Sequence, residues 1–77
     1  MNKTIGSNKY LDLVSWLKKS REEQGLSLRD LGNRLNKPHS FVQKVEGLQR
    51  KLDIYEYVKY CEELDIKPEE GLKFLKK

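Results

Sequence analysis

Residues 26–46, LSLRDLGNRLNKPHSFVQKVE, decide the fold. Leu28, Leu31 and Leu35 recur at three- and four-residue steps, the spacing that places side chains on one helical face. Ser27 precedes that run, with Asp30 three residues on. This is an acidic variant of the capping box, in which an N-cap hydroxyl and an N3 side chain each satisfy the other's backbone N–H. The run stops at Asn36-Lys37-Pro38. Asn36 is among the few non-glycine residues that tolerate positive φ; Pro38 disfavours helix at Lys37 and suits the first turn of a new one. Phe41, Val42 and Val45 then form a second short apolar face, and Gly47 marks its end. Gly32 lies inside the first of these helices, where glycine costs about 1 kcal/mol relative to alanine, so a packing reason is required. Two short helices that cross steeply need a small residue where their backbones approach, and Gly32 is placed for it. The stretch reads as helix, tight turn, helix.

Working outward, Tyr10, Leu13, Val14 and Leu17 give an upstream helix its stripe, flanked by Trp16. Gly25 ends that helix, and Leu26 can pack back on its last turn. Downstream, residues 48–52 form a basic loop, and Asp53 with Glu56 makes a second capping pair. The helix it opens has Ile54, Tyr57, Val58, Cys61 and Leu64 as its expected inner face. Lys67-Pro68-Glu69-Glu70 opens a last short helix, with its acids at the positive end of the dipole. Leu72 and Leu75 are expected to point inward there, and Phe74 outward. No segment alternates with period two. The expected architecture is all-α, five helices, with a helix-turn-helix at the second and third. Residues 1–8 read as a flexible arm and residues 9–77 as one domain.

The composition sets limits on function. The chain has 77 residues, 36% of them apolar and 36% charged. Ordering costs about 1.5 kcal/mol per residue, and burying a large apolar side chain returns roughly 1.5–3 kcal/mol. Nearly every Leu, Ile, Val and Phe is therefore needed for one core, and no separate catalytic or sensor domain is expected. One Cys and one His exclude an internal disulfide and a Cys/His zinc site, so no metal or cofactor is expected. Cys61 reads as a small core residue. No apolar run approaches the roughly 20 residues of a membrane span, and none follows the N-terminus as in a signal peptide. A soluble, cytoplasmic chain with no membrane partner and no small-molecule ligand is expected.

Charge is segregated along the chain. Residues 1–21 carry five bases against one acid, and residues 29–51 carry six against two. Residues 53–70 reverse this, with seven acids and two bases. A basic front half and an acidic back half suggest one face that meets a polyanion.

Residues 13–66 resemble the XRE-type helix-turn-helix domains of phage and bacterial regulators, the lambda repressor and Cro group. The resemblance is carried by Arg21 four residues before Gly25, by Leu31-Gly32, by Pro38-His39-Ser40-Phe41-Val42 and by Lys44-Val45-Glu46. It implies a lambda-repressor-like five-helix bundle whose third helix, near 39–47, enters the major groove of a double-stranded DNA operator. It also implies a partly buried ion pair between Arg21 and Glu46. Carried over by position, His39, Ser40, Gln43 and Lys44 face base edges, with chemistries suited to acceptors, several bases, adenine and guanine respectively. Ser27, Leu28 and Arg29, together with Gln49, Arg50 and Lys51, would touch phosphates. Phe41 points inward on this reading. Three positions depart from the family pattern. Asn36 replaces a glycine in the turn, Gly47 falls one residue early with Leu48 following, and Asp65 stands where a glycine would end the fourth helix.

Two other classes compete with this reading. An enzyme would need a third group to orient His39 against Ser27 or Ser40, and none is recognisable; no catalytic residues are assigned. A protein-interaction module, antitoxin-like or anti-repressor-like, draws support from Tyr55, Tyr57 and Tyr60 within six residues. Salt separates the two, because DNA binding weakens steeply with it and an apolar interface does not. The expected function is a DNA-binding transcriptional regulator, a repressor acting as a homodimer through Tyr60, Leu72, Phe74 and Leu75.

Overall fold

Five helices and no strand make up the described residues, 8–76, of the computed structural model. They are α1 (Asn8–Glu23), α2 (Leu28–Leu35), α3 (His39–Glu46), α4 (Ile54–Leu64) and α5 (Pro68–Leu75). The arm expected over residues 1–8 lies outside the described residues except for Asn8, which opens α1.

Local chemistry sets the helix ends. Ser27 Oγ accepts the Asp30 N–H at 3.0 Å, and Asp30 Oδ2 accepts the Ser27 N–H at 2.9 Å. Asp53 and Glu56 repeat the exchange at the start of α4, at 2.7 and 3.1 Å. Asn36 closes α2 in the left-handed region at φ 59°, and the Lys37 N–H donates to the Gly32 carbonyl at 2.9 Å. A Cβ on Gly32 would lie 2.9 Å from the Lys37 carbonyl oxygen and 3.3 Å from His39 Cα, so its packing partner is the turn and the start of α3.

The two other departures are resolved differently. Asp65 takes the left-handed C-cap at φ 57°, and Ile66 N–H donates back to Cys61 at 3.0 Å. Gln24 Nε2 and an Arg34 guanidinium N–H also donate to the Leu64 and Glu63 carbonyls, at 2.5 and 3.1 Å. Side chains from α1 and α2 thus complete a cap that lacks glycine. After α3 the positive φ falls on Leu48, at 64°, while Gly47 stays at −84°. A left-handed leucine costs about 1–2 kcal/mol, offset here because its side chain packs against the core.

The core gathers Leu17, Leu31, Val42, Val45, Cys61 and Leu64 between all the helices except α5, which closes it through Gly71 and Phe74. Several expected faces are corrected by the structure. Leu72 and Leu75 are exposed, whereas Phe74 is half-buried and its ring lies 6.0 Å from that of Trp16. The reason is Gly71, whose missing Cβ would stand 2.1 Å from the Tyr57 hydroxyl and 2.5 Å from Trp16 Cζ3. Close approach there rotates α5 so that positions 71 and 74, one turn apart, face inward. On α4 the buried stripe is Tyr57, Tyr60, Cys61 and Leu64. Tyr60 is 1% exposed and therefore cannot line a dimer surface. Ile54, expected inside, is 72% exposed, because the first turn of α4 overhangs a groove beside α5; Val58 is exposed as well.

Candidate nucleic-acid interface

The second helix of the motif has two opposed faces. Val42 and Val45 are fully buried, and this anchors α3 against the core. On the opposite side His39, Gln43 and Lys44 are exposed and Ser40 is half-buried. Residues 39 and 43, and 40 and 44, are four apart, so the four form one outward ridge. No side chain of the described residues hydrogen-bonds or pairs with Gln43 or Lys44.

The acid on the same helix is withdrawn from that ridge. Arg21 donates through Nε to Glu46 Oε2 at 2.7 Å and through Nη2 to Oε1 at 3.1 Å, a bidentate pair. Its Nη1 also donates to the Leu26 carbonyl at 2.6 Å, so one guanidinium ties α1 to the entry of α2 and the end of α3. The hydrogen bonds to Glu46, outweighing burial, raise the Arg21 pKa further above its ordinary value. Neutralising Glu46 leaves the ridge with cationic and neutral groups only.

Phosphate-contact candidates occur at two places. At the start of α2, the Ser27 N–H and Oγ are engaged in the capping box, while Arg29 is exposed and Leu28 half-buried. After α3 the chain folds back on itself. Gln49 and Arg50 both donate their backbone N–H to the Lys44 carbonyl, at 2.8 and 3.2 Å. Their side chains and that of Lys51 are exposed, but Arg50 is turned aside onto Glu56 Oε2. Lys51 Nζ lies 5.9 Å from the Tyr10 ring centroid.

Phe41 is half-buried and packs against the core, and two cations lie near its ring. Lys37 Nζ stands 5.5 Å and the Arg50 guanidinium 5.1 Å from its ring centroid. Sequence reasoning read Glu56 only as a capping residue and Lys37 only as part of the turn, and missed the pairing of Glu56 with Arg50 and the place of Lys37 beside Phe41. The available signals were a cation in the turn immediately before the exposed ridge, and an acid six residues after Arg50.

Among the described residues no cluster of His, Cys, Asp and Glu is placed to hold a metal ion. No described helix is long and apolar enough to cross a membrane.

A similar solved structure is an XRE-family like protein from Pseudomonas syringae pv. tomato str. DC3000. The two share 33% identity over 87% of this chain and 82% of that one, with a TM-score of 0.80. The chain belongs to the XRE family. No protein-family model and no curated protein matches its sequence. Within this XRE-family chain the helix-turn-helix is α2, the Asn36–Pro38 turn and α3, with Asn36 in the left-handed region at φ 59°.

Proposed function

We infer that this chain is a transcriptional regulator that binds double-stranded DNA and lays the α3 ridge in the major groove. The observation that carries this reading is the ridge itself. It holds four polar residues without an unpaired acid, on a helix whose other face is locked into the core. Gln43 offers a bidentate match to adenine, and Lys44 a donor to guanine O6 or N7. His39 and Ser40 add contacts at the entering end. Arg29, Gln49 and Lys51 flank the ridge as phosphate contacts, with the first-turn amide of Leu28 beside them. Such a protein represses by occupying its operator.

A single module of this kind buries only about 600–1,000 Å² on DNA, which favours a two-fold dimer on two half-sites one helical turn apart. The surface that fits a second copy is the apolar groove floored by Tyr10, Leu13 and Tyr57 and rimmed by Ile54, Leu72 and Leu75. Tyr60 and Phe74 have no part in it.

The test is binding to a duplex selected from a random library and to an unselected duplex. Gln43→Ala and Lys44→Ala should cost about 1–3 kcal/mol on the selected duplex and little on the other. Equal losses on both would show that α3 is not the sequence reader. The mass of the complex on the selected duplex decides the dimer; one chain per duplex rejects it.

A further inference from the structure

The loop after α3 carries Gln49, Arg50 and Lys51, yet its three polar side chains are not equivalent. Glu56 holds Arg50. Its Oε1 accepts the Asp53 N–H at 3.1 Å, and its Oε2 takes the Arg50 guanidinium. The carboxylate cannot swing away without opening the cap of α4. The Arg50 guanidinium also lies over the Phe41 ring, and its backbone N–H is held by the Lys44 carbonyl. Charge counting follows from this geometry. Salt dependence of DNA binding reports the net charge brought to the phosphates. If Arg50 left Glu56 for a phosphate, an unpaired carboxylate would remain beside the polyanion. The two together bring no net positive charge.

Near the same ring stands Lys37, exposed, in the turn that leads into α3. No acid pairs with it among the described residues. We propose that Lys37 is the phosphate-contacting cation on this edge of the interface, and that Arg50 is a positioning residue which, clasped by Glu56, holds the loop and the Phe41 ring in place. The proposal rests on the DNA-binding reading above, but it needs no operator, because phosphate contacts are independent of sequence.

The experiment measures binding to a random-sequence 20-base-pair duplex across a salt series, for the full chain and three variants. Lys37→Ala should flatten the slope of log K against log salt by about one. The double variant Arg50→Ala/Glu56→Gln removes both charges of the clasp and should leave that slope unchanged. Glu56→Gln keeps an acceptor for the Asp53 N–H but frees Arg50's charge, so the slope should steepen by about one and binding should tighten. The opposite pattern, the double variant flattening the slope while Glu56→Gln leaves it alone, would overturn the proposal. So would an unchanged slope in Lys37→Ala, a variant that leaves the Arg50–Glu56 clasp intact. A parent chain with no salt-dependent binding would instead sink the DNA-binding reading itself.

Discussion

Arg21 and Glu46 stand 25 positions apart in sequence and meet as a bidentate pair, with side chains only 10% and 8% exposed. Through that contact the first helix sets the position of the third. Removing one partner of a buried pair leaves the other charge uncompensated, at a cost of about 3–5 kcal/mol. Glu46→Ala is therefore expected to lose most of the stability of so small a domain in urea unfolding. A loss under 1 kcal/mol would place the pair among exposed ones, which are worth roughly that or less.

Gly71→Ala should destabilise through overpacking. The added methyl would meet the Tyr57 hydroxyl, Trp16 Cζ3 and Leu13 Cδ1 at 2.1, 2.5 and 2.8 Å. Tyr57 cannot easily yield, because it donates to the Pro68 carbonyl at 2.6 Å. The expected cost is about 1–3 kcal/mol, read from thermal unfolding. An unchanged melting temperature would mean that α5 does not dock on α1 as described.

Tyr60→Phe should stabilise. The Tyr60 hydroxyl is buried with no hydrogen-bonding group of the described residues on it, and burial raises its pKa. Removing an unsatisfied polar atom of this kind relieves about 1 kcal/mol or more. In a domain of 60–100 residues that corresponds to a rise of roughly 4–8 °C in melting temperature. A fall of similar size would show that the hydroxyl is hydrogen-bonded.

The Ser27–Asp30 cap predicts an acid-sensitive term. The Ser27 backbone N–H, followed by the Ser27 hydroxyl, lowers the Asp30 pKa from its ordinary value of 3.8. A depressed folded value means that the fold favours the ionised form. The contribution is therefore present above 3.8 and fades as pH falls through the folded value. The difference in melting temperature between the parent and Asp30→Ala should be constant near neutrality and shrink in that acid range. A gap that persists once both carboxyl states are protonated contradicts the assignment.

Residue order settles what is local. Both capping boxes, the Asn36–Pro38 turn and the starts of α2, α3 and α5 depend on groups within four residues of one another. Their geometry follows from residue type and spacing alone. The α3 ridge came from the resemblance to XRE-type domains, and the burial of Val42 and Val45 leaves His39, Gln43 and Lys44 outward. Tertiary structure decided what depends on groups distant along the chain. Gly71 has no side chain and so leaves no mark in an apolar pattern, yet its contact with Tyr57 and Trp16 turns α5 by about one residue, exposing Leu72 and Leu75 and burying Phe74. Tyr60, expected on a dimer surface, is enclosed because α4 is covered on that side. The fate of Arg50 likewise depended on a loop path that places Leu48 in the left-handed region and brings Glu56 under the guanidinium. Spacing shows which residues share a helix face; only the packed chain shows which charges neutralise one another before DNA arrives.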